Sequence, residues 1–193
     1  MIFFTADTHF SHARIIELCN RPFDDINHMD EMMIKNWNKT VAPGDTVFHL
    51  GDVALGTIAG SLPKVGRLNG YKALIPGNHD RIFSEASQAH RDRFMPEYLK
   101  VFDKVLDEIQ TFTYEAVPRP ERTMLLCHFP YCGDSHVDDR FGGLRPKDTG
   151  LPLIHGHVHS EWRTNGRQFN VGVDVNDYRP VSIDTIMEWI DTL

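Results

Sequence analysis

Five apolar segments of this sequence, each typical of a buried strand, run directly into polar residues able to bind a metal ion. The segments are residues 2–6, 46–50, 71–75, 123–127 and 151–155. The candidate ligands that follow them are Asp7, His9, Asp52, Asn78, His128, His157 and His159. In an open α/β sheet, ligands bind outside the carboxyl ends of the strands. We therefore expect these side chains to converge on one site.

The donor types indicate which metal such a site would take. Carboxylate, amide and imidazole groups without a thiolate suit manganese, iron, zinc or nickel, whereas calcium and a cysteine-type structural zinc fit less well. Seven donors exceed the need of one tetrahedral ion, so a shared carboxylate would let them bind two. Two neighbouring divalent ions are a known arrangement for displacement at phosphorus, and their net positive charge favours an anionic substrate. Any one of these residues alone is more simply read as a buried, hydrogen-bonded polar group.

No protein nucleophile is evident in the sequence, because no serine, cysteine or threonine occupies a nucleophile elbow. Possible substrate contacts are cationic, each with solvated surface charge as the alternative interpretation. They are Arg14, Arg21, Arg81, Arg140, Arg145 and Lys147.

Composition limits the classes of protein that fit. The 193 residues carry 20 basic and 27 acidic side chains, and the net charge of −7 argues against long nucleic acid as a partner. The three cysteines, Cys19, Cys127 and Cys132, have no C-x-x-C spacing, and a reducing compartment fits. No apolar run has the length of a membrane span or of a signal peptide core. We expect a cytoplasmic protein with no membrane partner. Its oligomeric state stays open.

Strands alternating with helices indicate an α/β layered fold. Ile26, Met29, Met33 and Trp37 recur at helical spacing and predict a core-facing helix, with Asn27 placed to cap it. Residues 54–70 predict another helix, and Ser182 is expected to cap a closing one. Residues 131–150 show no sustained period. They are either a flap over the site, with Arg140 and Arg145 facing the substrate, or a disordered surface insertion.

Together the motifs resemble those of the calcineurin-like metallophosphoesterase superfamily, in its compact bacterial and phage form. The resemblance rests on Asp7-Thr8-His9, Gly51-Asp52, Gly77-Asn78-His79-Asp80, His128 and Gly156-His157-Val158-His159, in the order of the family and spanning most of the chain. It implies a β-sandwich flanked by helices, that is, a four-layer α/β/β/α fold with residues 1–193 as a single domain.

The same resemblance implies residue roles. One ion would be bound by Asp7, His9 and His159, the other by Asn78, His128 and His157, with Asp52 bridging them. His79 would assist the leaving group and Asp80 would orient its imidazole, so both are expected to be catalytic. The other histidines, His12, His28, His49, His90, His136 and His155, are interpreted as structural, with His12 and His155 as the first exceptions to consider.

The expected activity is hydrolysis of a small phosphodiester or phosphomonoester by attack of a metal-bridging hydroxide, with manganese as the favoured metal and the diester as the favoured substrate. Two alternatives remain at this stage. A metal-dependent nuclease would use the same site, and a non-catalytic scaffold would keep the fold without the chemistry. The acidic composition argues against the first, and the intact ligand set with His79 argues against the second.

Overall fold

The computed structural model describes residues 1–116, 119–135 and 140–193, with His136 and its predicted structural role outside this range. The described part of the chain contains five α-helices and ten strands. The helices are α1 (Ala13–Leu18), α2 (Ile26–Thr40), α3 (Ile58–Ser61), α4 (Gln88–Tyr98) and α5 (Ile183–Ile190). The strands are β1 (Ile2–Thr5), β2 (Thr46–His49), β3 (Tyr71–Leu74), β4 (Lys104–Val105), β5 (Ile109–Ala116), β6 (Arg119–Cys127), β7 (Leu153–His155), β8 (Thr164–Asn165), β9 (Gln168–Asn170) and β10 (Val181–Ser182).

These strands form two five-stranded mixed sheets, which confirms the predicted α/β class. The first sheet has the order β10-β1-β2-β3-β4, in which β1 to β4 are parallel and β10 is antiparallel. The second has the order β5-β6-β7-β9-β8, with β6, β7 and β9 parallel. Parallel strands present their carboxyl ends at the same edge, so each sheet delivers its loops to one side.

The two sheets share one buried apolar cluster. The cluster contains Phe4 from β1 and Ile75, which directly follows β3. It also contains Met124 and Ile154 from the second sheet, and all four residues are fully buried. Side chains alternate along a strand, so Phe3, next to Phe4, joins the other cluster, where α1, α2 and α4 pack. The first sheet is therefore buried on both faces, as parallel strands usually are.

Helix α2 buries the face that the sequence predicts, which carries Met29, Met33 and Trp37. Its cap differs from the prediction. The carboxylate of Asp25, rather than Asn27, accepts the backbone N–H groups of residues 27 and 28. An aspartate directly before the first turn can accept two of the helix's free donors, which the later residue cannot do.

The single helix predicted over residues 54–70 is wrong. The chain forms the short α3 and then a 3-10 helix at Leu62–Arg67, with Pro63 in the first turn of the latter. Proline lacks the N–H that would continue the α-helical pattern, so the segment changes its winding there. By contrast, Ser182 caps α5 as predicted, accepting from the backbone N–H of Thr185.

The loop that follows β6 packs against the second sheet in its described part. Phe129 is buried with Cys127 and Leu153, and the half-buried Phe141 and Leu144 pack against them. Among the described residues this face is covered by loop side chains and not by one of the five α-helices. The region that sequence analysis left as a flap or a disordered insertion therefore contributes described, packed residues on both sides of residues 136–139.

No helix in the described ranges is long and apolar enough to cross a membrane.

Candidate metal centre

The loops after strands of both sheets meet around the carboxylate of Asp52. Its Oδ2 atom lies 3.6 Å from Nε2 of His9 and 3.5 Å from Nε2 of His128. Ligand atoms of Asp7, His9 and His159 all lie within 4.8 Å of one another, and so do those of Asp7, Asp52 and His128. Asp7 and Asp52 thus contribute to adjoining groups of donors.

The remaining predicted ligands complete the same site. Oδ1 of Asn78 is 3.1 Å from Nε2 of His128. His157 lines one cavity of 280 Å³ together with His9, Asp52, Asn78 and His159. The structure therefore brings all seven predicted ligands together.

Most of these ligands have strained backbones. Five have φ in the left-handed region, namely Asp7 (58°), His9 (48°), Asp52 (56°), His157 (71°) and His159 (48°). This conformation costs a residue with a side chain about 1–2 kcal/mol, although aspartate and histidine adopt it more readily than most. Strain concentrated at one place is typical of a functional site, where the surrounding structure holds it.

Backbone N–H groups of neighbouring loops hold the two central carboxylates. Asp7 accepts from the N–H of His157 at 3.0 Å, and Asp52 accepts from the N–H of His79 at 2.9 Å. Glycine makes room for the first contact, because a Cβ on Gly156 would lie 2.6 Å from Oδ2 of Asp7. Both carboxylates are therefore fixed in position before any ligand binds.

Asp80 has different contacts from those predicted. Its buried carboxylate accepts the N–H groups of Asp52, Val53 and Gly77, at 2.9, 3.2 and 2.9 Å. The described hydrogen bonds of Asp80 do not include one to the imidazole of His79, so the expected orienting contact is not formed. Burial, followed by the charge of Asp52, raises the pKa of Asp80 to about 7. Asp80 joins the loop after β2 to the loop after β3.

The imidazole of His9 supplies the test of whether a metal fits here. The ring is buried, and neither nitrogen has a hydrogen-bond partner within the described part of the chain. A buried polar group left without a partner costs about 1–3 kcal/mol. A cation bound between His9, Asp7 and His159 would satisfy one of these nitrogens, so the residues present fit a metal ion.

Protonation states also suit a metal at most of the ligands. Burial would raise the pKa of Asp52, but His128, His9 and His79 together hold it well below its usual value. Burial lowers the pKa of His9 far below normal and that of His157 to about 3. A carboxylate and neutral imidazoles are the forms that bind metals. Asp52, His9 and His157 are therefore in their metal-binding forms at neutral pH.

Asp174 and Arg21 belong to this site but were not identified as such from the sequence. Asp174 Oδ2 is 3.0 Å from Nδ1 of His159, and against the effect of burial this hydrogen bond raises the pKa of His159 well above normal. Arg21, predicted as a possible substrate contact, is instead buried. It donates to both carboxylate oxygens of Asp174 and to the carbonyl oxygens of Asp7 and Thr8. No sequence motif marks either residue.

The predicted substrate contacts Arg140 and Arg145 both lie near Asp134. Arg140 lines the cavity with its side chain 42% exposed, and it donates to Asp134 at 3.2 Å. The side chain of Arg145 is only 6% exposed, lies 3.5 Å from Asp134 and donates to the carbonyl oxygen of Pro130. Asp134 also lies 3.2 Å from Nε2 of His157. Arg145 is thus packed within the loop, and only Arg140 faces the cavity.

Two further histidines are buried in structural positions, as predicted. His49 contacts the hydroxyl of Thr8 at 3.0 Å, and Nδ1 of His155 is 2.7 Å from the carbonyl oxygen of Gly156. Burial lowers the pKa of each to about 3, so both are neutral.

We predict that Asp174→Asn selectively weakens the binding of one of the two metal ions. A carboxylate behind a histidine ligand fixes its orientation and raises its basicity, and losing it typically costs about 10–100-fold in metal affinity. Titration of metal-free protein with Mn²⁺ in competition with a chelating indicator should show a lower affinity for one ion and an unchanged affinity for the other. Asp177→Asn, an exposed position in the same segment, is the matched control. Parental affinity for both ions in a folded Asp174→Asn variant would show that Asp174 has no role in the site.

No family model matches the chain. Three relatives match nearly its whole length. The Gene 66 protein of Mycobacterium phage L5 is 35% identical over 200 residues, covering 97% of this chain and 93% of the relative. The Gene 66 protein of Mycobacterium phage D29 is 34% identical over 203 residues, covering 100% and 96%. The uncharacterized protein MJ1445 of Methanocaldococcus jannaschii is 31% identical over 199 residues, covering 98% and 91%.

The matches among solved structures include one that covers nearly the whole chain and one that is weak and partial. A protein of unknown function from Aquifex aeolicus, AQ665, superposes with a TM-score of 0.71 at 26% identity, covering 98% of both chains. The phosphopantetheinyl hydrolase of Mycobacterium tuberculosis has a TM-score of 0.33 at 18% identity, covering 65% of this chain and 40% of that one. The second likeness is too weak to carry an argument about fold or activity.

These comparisons overturn the family assignment made from the motifs. The predicted membership of the calcineurin-like metallophosphoesterase superfamily is wrong, because no family model matches and the relatives that match nearly the whole chain carry other descriptions. Short motifs at strand ends show which side chains could bind a metal, and the same sets of metal-binding side chains occur in unrelated proteins. The chain belongs to the family of the phage Gene 66 proteins.

Proposed function

We propose that this protein is a binuclear, metal-dependent hydrolase of small phosphoesters. One observation supports the proposal above the others: the buried carboxylate of Asp52 lies between His9 and His128, and His9 has no hydrogen-bond partner in the described ranges. A carboxylate between two groups of nitrogen and oxygen donors is suited to bridging two ions.

The geometry supports a particular division of the ligands. Asp7, His9 and His159 form one close group. His128 and Asn78 are in contact on the other side of Asp52, and the ring of His157 lies 5.2 Å from that of His128. Asp52 would be shared by both. Manganese is the favoured occupant, and iron, zinc or nickel would suit the same donors.

Two divalent ions would supply positive charge for the phosphate oxygens and a water of lowered pKa. The protein's own contribution is to hold the ligand carboxylates rigidly and to exclude bulk water from Asp7, His9 and Asp52, all at most 1% exposed. A phosphodiester is the favoured substrate, because its single negative charge matches the small net positive charge expected at the site.

We expect His79 to transfer a proton to the leaving group. Its side chain is 47% exposed, unlike the ligands, and it lines the cavity with Nε2 4.0 Å from Oδ2 of Asp52. From this position a protonated imidazole could donate to the leaving oxygen. Such a step is worth about 10²–10⁴-fold for a poor leaving group.

We also propose a layered arrangement for residues 1–193 as one domain. The shared cluster of Phe4 and Met124 supports face-to-face packing of the sheets, and α1, α2 and α4 supply an outer layer on the first sheet. The fourth layer differs from the α/β/β/α expectation, because loop residues such as Phe129 and Phe141 occupy that face in the described ranges.

The proposal predicts metal-dependent hydrolysis. Exhaustive chelation should abolish hydrolysis of bis-4-nitrophenyl phosphate, and manganese should restore it, because the attacking water is otherwise too weakly acidic. His9→Ala should lose activity and metal together. His28→Ala, on the surface beside Asp24, should keep both. Undiminished hydrolysis by protein shown to be metal-free would refute the proposal.

A second prediction concerns the leaving group. His79→Ala should keep its metal content, because His79 is not among the donors, yet lose turnover. The loss should be about 10²-fold or more for an alkyl ester and much smaller for a 4-nitrophenyl ester, which needs little protonation. The measurement is kcat over a series of diesters of increasing leaving-group pKa. Equal losses across the series would show that His79 binds phosphate and does not act as an acid.

A further inference from the structure

A second cavity adjoins the proposed site on the far side of His79. It measures 350 Å³ and lies between the loop after β2 and the start of α4. Its lining includes Gly56, Ile58, Arg81, Ala86 and His90. Asn78 and His79 line both cavities, so His79 stands on the ridge between them.

The second cavity carries uncompensated positive charge. The exposed guanidinium of Arg81 lies 5.9 Å above the ring of Phe94, which His90 also contacts at 4.7 Å. No acidic side chain of the described ranges lies within 4.0 Å of the Arg81 guanidinium. The one carboxylate in the lining, Asp80, is 4% exposed and bound to backbone N–H groups. An anion in this cavity would therefore meet Arg81 without competition from an internal partner.

The first cavity differs in this respect. Its own arginine, Arg140, is paired with Asp134 at 3.2 Å. Its lining also includes the apolar side chains of Ile15 and Leu18, and Glu161 adds a negative charge. Beyond the metal ligands, the first cavity suits an uncharged or apolar group better than a second anion.

Arg81 is also held in position by its backbone. Its N–H donates to the hydroxyl of Tyr98 at 3.0 Å, and Tyr98 is buried in α4. The backbone of Arg81, two residues after His79, is therefore anchored beside the site.

We propose that Arg81, with His90 beside it, forms a subsite for a second phosphate group carried by the leaving alcohol of the substrate. The inference rests on the proposed function. It narrows the substrate to phosphoesters whose alcohol group carries a second phosphate. Hydrolysis would break the P–O bond to the alcohol and form a P–O bond to the oxygen of water. His79 would give a proton to the leaving oxygen, and the proton that the attacking water loses would restore His79 through solvent. The phosphorylated alcohol would then leave through the second cavity.

Binding of inorganic phosphate to metal-free protein tests the subsite without any catalysis. In ¹H–¹⁵N spectra, phosphate should shift the amide signals of Gly56, Arg81 and His90 saturably. Arg81→Gln removes a charge-assisted hydrogen bond, so it should raise the Kd for phosphate about tenfold or more. Arg93→Gln is the matched control, because Arg93 lies over the same Phe94 ring at 5.2 Å but does not line the cavity. Absent shifts, or the same Kd in both variants, would overturn the subsite.

A kinetic comparison tests its place in the reaction. Propane-1,3-diol bisphosphate should inhibit hydrolysis of bis-4-nitrophenyl phosphate more strongly than propyl phosphate does. Arg81→Gln should reduce that advantage about tenfold, and Arg93→Gln should keep it. Equal inhibition by the two compounds in the parent protein would contradict the proposal. If the chromogenic diester is not hydrolysed at all, the proposed function fails, and the phosphate titration still decides the subsite.

Discussion

The acceptance of backbone N–H groups by buried carboxylates is the interaction on which the rest of the site depends. Asp7, at the end of β1, accepts from the backbone of His157 after β7 and so joins the two sheets. Asp52 accepts from the loop after β3, and Asp80 of that loop accepts from Asp52 in return. Each carboxylate thus fixes the loop that carries the next ligand.

This arrangement places donors at a cost to the fold. Five ligands adopt the left-handed backbone region, and the His9 imidazole is buried without a partner in the described ranges. Each such feature destabilises the metal-free protein by about 1–3 kcal/mol. Metal ions that bind only the folded chain would offset this cost by linkage. A site that is strained when empty and satisfied when filled is the pattern expected of a preorganised metal centre.

The candidate metal ligands could be predicted from the sequence because each follows an apolar strand segment. The carboxyl ends of parallel strands lie at the same edge of a sheet. The sequence also predicted α2 and α5, whose buried faces recur at helical spacing. It could not predict Arg21 and Asp174, because their importance lies in a contact across 153 positions that no local pattern records. The glycine-rich ends of residues 54–70 indicate one helix, but the missing N–H of Pro63 divides this segment. The family assignment failed for a related reason, since motifs identify donors and not ancestry.

The central claim is that two metal ions bind on either side of Asp52. Crystals grown with manganese, measured at the manganese absorption edge, test it directly through anomalous scattering. We expect two peaks that share Asp52, one beside Asp7, His9 and His159 and the other beside Asn78, His128 and His157. A single peak, or two peaks that do not share Asp52, would contradict it.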